Sequence, residues 1–177
     1  MEISSQTIQG FSGATAVGAL TLVGLALIAN AFATNLFPAI DFYARTPTWA
    51  IVVAIPLASL SYLLGLLATG AAEAALIWSR LINANVLIED AVRVSVRGEF
   101  VAGRFQQLRQ EAELLAGSAI ALALLALGTA LSAWATEGWR RFLTATTLAA
   151  VVFALSSIGL SRSRYASAHR LAIAAKP

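Results

Sequence analysis

Residues 98–135 read GEFVAGRFQQLRQEAELLAGSAIALALLALGTALSAWA. The first half is charged and amphipathic, the second half has no charge at all, and no Pro separates them. Val101, Phe105, Leu108, Ala112, Leu115, Ala119 and Leu122 follow alternating steps of four and three. That spacing keeps one apolar stripe on one face of a helix. The stretch therefore predicts a single helix that changes solvent halfway, from a water-exposed arm to a membrane span.

The rest of the chain repeats the second half's character. Of 177 residues, 59% are hydrophobic and 12% charged, about half the charge of an ordinary soluble domain. The charge-poor sequence falls into four runs, too many for the core of one small soluble domain. The expected fold is an all-α, four-span membrane bundle in one domain over residues 1–177. The spans are placed at about 11–33, 49–78, 114–136 and 142–160, with the arm at 80–113. A run of about 20 apolar residues is enough to cross a hydrocarbon core of about 30 Å.

The first run could instead be a secretory signal, because Ala31, Phe32 and Ala33 resemble a cleavage site. Its leading segment carries Glu2 and no Lys or Arg, and its apolar stretch is long, so an uncleaved span is expected. The second run is bracketed by Trp49 and Trp78. Twenty-nine helical steps cover about 44 Å, which matches one Trp at each interface of a bilayer about 40–45 Å thick. Pro56 inside it predicts a local irregularity. Residues 83–98 are expected to form a turn and a short helix, although Val92, Val94 and Val96 alternate with polar residues as a strand would.

Charge sets the expected orientation. Four spans put Arg80, Arg93, Arg97, Arg104, Arg109, Arg162, Arg164, Arg170 and Lys176 on one side, and leave Arg45, Arg140 and Arg141 on the other. Positive residues accumulate on the cytoplasmic side. Both termini and the arm are thus expected in the cytoplasm. Phe42, Tyr43, Trp49, Trp134 and Trp139 are expected at the outer interface, and the Ala-rich composition suggests a bacterial inner membrane.

Composition also narrows the chemistry. With no Cys and one His, thiol nucleophiles, disulfides and cysteine metal sites are excluded, and no metal or cofactor is expected. There is no P-loop, no dinucleotide fingerprint and no nucleophile elbow, so no catalytic residue is assigned and an enzyme is not expected. The net charge of +3 sits in short patches beside apolar runs. That pattern points to anionic lipid headgroups rather than nucleic acid. Arg162, Arg164 and Arg170 are the expected headgroup contacts.

Two groups of residues carry the functional expectations. Val101, Phe105, Leu108, Arg109 and Ala112 mark the arm as a surface for self-association or for a cytoplasmic protein partner. The same stripe could pack within the chain or lie on the membrane. Glu73 is the one acid inside a span-like run, and Thr69 and Tyr62 share its face. These three could line an ion path, or Glu73 could simply pair with an Arg from the arm or tail. Asn30 could bond between helices. The expected role is a non-enzymatic adaptor, sensor or effector subunit, in a stress or phage-defence setting, acting through the arm and self-association. The alternative is an oligomeric ion channel, pore or small transporter with Glu73 facing the interior.

Overall fold

The computed structural model describes residues 5–32, 47–79, 82–96, 98–135, 138 and 140–174. The connector with Phe37, Phe42 and Tyr43, the side chain of Trp49 and the turn with Trp139 lie outside the described residues. Those that are described form five helices and no strands: α1 (Ser5–Phe32), α2 (Pro47–Trp78), α3 (Ala84–Ser95), α4 (Glu99–Ala135) and α5 (Arg140–Ala174). All but α3 are long and apolar enough to cross a membrane.

Local sequence explains most boundaries. α2 opens on Pro47, a residue whose fixed φ suits the first helical position. It continues through Pro56. The carbonyl of Asn83 accepts from the Leu87 N–H at 3.2 Å, the first turn bond expected of an N-cap residue. Gly98, at φ +108°, makes the turn between α3 and α4 that a side chain would strain. Residues 92–95 are helical. Leu87, Ala91 and Val94 share a face, and Val94 is almost fully buried, so packing decides against the alternating pattern.

α4 is the hub. It packs against α1, α2, α3 and α5, whereas α5 meets α4 along its length and α3 near its end, with at most marginal contact to α1 or α2. The close approaches depend on absent side chains. A Cβ on Gly18 would overlap the carbonyl of Ser61, and one on Gly65 would overlap that of Ala14. α1 and α2 therefore touch backbone to backbone, the use small residues have between membrane helices. A Cβ on Gly128 would lie 2.8 Å from the carbonyl oxygen of Gly24, so α1 and α4 are nearly as close. Two polar contacts join α4 to α5 at opposite ends. The Ser161 hydroxyl donates to the Ala112 carbonyl at 2.9 Å, and Thr129 and Thr147 hydroxyls lie 2.8 Å apart.

The fourth long helix runs on past residue 160, where the span was expected to end, to Ala174. Ser161, Tyr165, Ala168 and Ala172 are buried on it. Residues 161–174 are thus a packed helical extension of the span. Together with α3 and the first third of α4 it forms a polar end of the molecule.

Candidate functional site

The polar end is built from three charged links, each joining different helices. Arg109 on α4 donates from Nε to Glu113 at 2.7 Å and from Nη2 to Glu73 of α2 at 3.0 Å. Glu113 lies one turn on, so the guanidinium fork is fixed along its own helix before it reaches across. Arg164 Nε on α5 lies 3.3 Å from Glu111. Glu111 also accepts from Gln107, which accepts from Arg104. On the third link, His169 Nδ1 of α5 lies 2.6 Å from Oδ2 of Asp90 on α3. Asp90 is 3% exposed, and Arg93 is 3.9 Å from its other oxygen.

The arm's apolar stripe faces inward. Phe105, Leu108 and Ala112 are buried. Phe105 and Leu108 cluster with Val94 of α3 and Ala168 and Ala172 of α5, with Val101 packed alongside. Ala112 joins Ala72, Leu76, Ala116 and Tyr165. The three polar candidates of α2 diverge. Tyr62 packs its ring against Phe11 at 4.8 Å between centroids. Thr69 bonds back to the Leu66 carbonyl and lies under Gly117 of α4. Glu73 is taken by Arg109. Asn30 is half-buried near the far end of α1. Of the three tail arginines, Arg164 is paired with Glu111, while Arg162 and Arg170 are exposed.

A cavity of about 300 Å³ lies among α3, α4 and the extension of α5. Asp90, His169, Arg109, Arg162, Tyr165 and Asn83 supply its polar wall. A carboxylate behind an imidazole is one half of a nucleophile-activating arrangement. No Ser, Thr or Cys lines this cavity, so the pair has no nucleophile there to activate. Among the described residues no group of three or more His, Asp or Glu is placed to hold a metal. Neither this cavity nor the larger apolar groove beside it is lined by Glu73, Thr69 or Tyr62.

Asp90 and Tyr165 are the two residues that sequence reasoning missed. The signal for Tyr165 was present, because Ser161, Tyr165, Ala168 and Ala172 step by four, three and four. For Asp90 it was the shared face with Leu87, Ala91 and Val94. His169, the one His of the chain, is half-buried and engaged. Comparison with known proteins finds no matching family model, no matching curated sequence and no matching solved structure.

The Glu73–Arg109 pair gives a first test. The side chains are 29% and 38% exposed, so solvent screens them and the coupling should be about 1 kcal/mol. A cycle of Glu73→Gln, Arg109→Gln and the double variant, read by thermal melting in detergent, should return that value. Strictly additive losses would mean that the contact contributes nothing.

Proposed function

We propose that the chain is a non-enzymatic, multi-pass bacterial inner-membrane protein, with both termini and the polar end in the cytoplasm. It acts as a sensor or adaptor subunit that couples a cytoplasmic contact to helix packing in the bilayer. The observation that carries this reading is the continuity of α4. One unbroken helix contacts every other element, and its Arg109 ties the lower end of α2 to the arm. The engagement of Glu73 by Arg109 favours this role over a conducting one.

The arm's stripe is covered within the chain, so an outside contact falls to the opposite side of the polar end. Ile88, Val92, Val96 and Phe100 are 64%, 61%, 83% and 88% exposed there. Ile88 and Val92 lie on α3, where Glu89 and Arg93 flank them, while Val96 is in the turn that follows and Phe100 opens α4. An apolar face carrying both signs of charge is self-complementary, since a two-fold contact can set Glu89 of one copy against Arg93 of the other. Self-association through this face is the expected mode.

The chain has no Cys, so a single introduced thiol reports cleanly. Val92→Cys or Phe100→Cys in isolated native membranes, treated with a mild thiol oxidant, should form disulfide-linked dimers, which requires Cα atoms within about 7 Å. Leu148→Cys, on an exposed apolar position of α5, should not. Paired Val92→Glu and Phe100→Glu should reduce the mass in mild detergent to one copy while leaving the melting temperature unchanged. A protein that is already monomeric at every concentration would overturn the self-association reading.

A further inference from the structure

The polar cavity and the apolar groove beside it lie on the same helix faces. On α4, Ala126, Ala123, Ala119 and Ala116 line the groove; beyond Ala112, Arg109 and Phe105 line the cavity. Each step is three or four residues, so these positions form one face. On α5 the same is true of Ala154, Ile158 and Ser161 in the groove and Tyr165 and His169 in the cavity. The groove, about 630 Å³, exists because α2 and α5 barely meet and the α4 floor between them is alanine. Leu76, Ala112 and Tyr165 pack together where groove gives way to cavity. Groove and cavity, with these packed side chains between them, lie in line as a trough that is apolar along the bundle and polar at its end.

The length of the apolar part selects the occupant. Ala116 to Ala126 is ten helical steps, about 15 Å, or half of a hydrocarbon core of about 30 Å. A helix from a second copy would cross the whole core. A chain of one lipid occupies one leaflet and ends in a headgroup, which is what the trough offers.

The polar end selects the headgroup. Tyr165 is 7% exposed, and its hydroxyl is buried with no hydrogen-bond partner; the same holds for Oδ1 of Asp90. Buried polar groups are seldom left this way in a folded protein. The phenol needs an acceptor and the carboxylate needs a donor. Of the charges facing the cavity, Arg109 is already held by Glu73 and Glu113, and His169 is on Asp90. Arg162 has no ion-pair partner among the described residues. What is left is the positive charge of Arg162 beside a carboxylate oxygen that has no hydrogen bond and only Arg93 at 3.9 Å, which suits a zwitterion better than an anion.

We infer that the trough binds an aminophospholipid, with its phosphate on Tyr165 and Arg162, its ammonium on Asp90, and an acyl chain along the alanines of α4. The inference rests on the membrane-spanning reading above, and carbonate extraction of membranes tests that reading separately. The direct experiment is native mass spectrometry of the full chain in mild detergent. It is titrated with phosphatidylethanolamine, phosphatidylglycerol or soluble phosphoethanolamine. Phosphatidylethanolamine should bind at about tenfold lower concentration than phosphatidylglycerol, and the soluble headgroup should not be retained. Tyr165→Phe removes only an unbonded hydroxyl, so it should leave the melting temperature unchanged and weaken lipid binding about tenfold. Ala123→Phe, at an exposed position in the groove, should abolish lipid binding without unfolding.

Equal binding of the two lipids, or unchanged binding in both variants, would overturn the proposal. Retention of soluble phosphoethanolamine as tightly as the lipid would assign the cavity to a free small molecule. A cross-link between two copies through Ala123→Cys would assign the groove to a protein. If carbonate releases the chain, the membrane reading and this one fail together. If the chain stays in the membrane and shows no lipid preference, only this inference fails.

Discussion

Leucine in place of Gly65 should prevent the bundle from assembling. The reason is geometric: the carbonyl of Ala14 already occupies the space that a Cβ on Gly65 would need, and Ser61 does the same to Gly18. No rotamer relieves an overlap between a Cβ and a neighbouring backbone. The two helices must separate, which also exposes Val17 and Ala68, buried together with Ala121. Over-packing of this kind costs about 3 kcal/mol or more. Purification in mild detergent should yield aggregated or poorly inserted protein for Gly65→Leu and for Gly18→Leu. Gly70 on the same helix has open space around it, so Gly70→Leu should be tolerated and could gain up to about 1 kcal/mol of helix propensity. A folded, monodisperse Gly65→Leu protein with the melting temperature of the parent would refute the α1–α2 contact.

Removing one imidazole should free α3 from the rest of the molecule. Asp90 is almost fully buried and its hydrogen bond is to His169. With His169→Ala the carboxylate keeps only Arg93 at 3.9 Å, too long for a hydrogen bond. Losing a bond to a charged, buried group costs about 2 kcal/mol, or roughly a thirtyfold shift in the local opening equilibrium. α3 has only 12 residues and packs chiefly on α4 and α5, so the loss falls on its docking. Amide exchange of residues 86–95 should accelerate by about that factor, while residues 116–130 stay protected. The double change Asp90→Leu with His169→Leu removes the stranded charge and should restore much of the protection. Unchanged exchange in His169→Ala would show that apolar packing alone holds α3.

Four long apolar helices were legible because the chemistry that makes them is local. Each run carries its own solvent preference, and the stripe from Val101 to Leu122 carries its own period. What covers that stripe was not legible. Phe105 and Leu108 are met by Val94 on one side and by Ala168 and Ala172 on the other, so the partners come from segments before and after the arm. Glu73 could be picked out as an acid in an apolar run, but Arg109 lies 36 residues away, and several arginines were equally available. Asp90 and His169 are 79 residues apart, and nothing in either neighbourhood names the other. The extension of α5 was hidden for a different reason. Its buried positions are small or amphipathic and alternate with Arg and Ser, so its mean polarity resembles a solvated tail even though its period is helical.

The lopsided attachment of α5 has a consequence for biosynthesis. α1, α2 and α4 contact one another, and the chain has made all three before α5 leaves the ribosome. Domains synthesised first generally fold first. On the proposed membrane-spanning reading, a nascent chain arrested before residue 140 should thus leave the insertion machinery as a closed three-helix intermediate, with the alanine face of α4 bare. α5 then arrives as a late-docking wall, guided into register by Thr147 at one end and Ser161 at the other. Until it does, the bare face is the part of the intermediate open to mispairing, and membrane chaperones would be expected to act there.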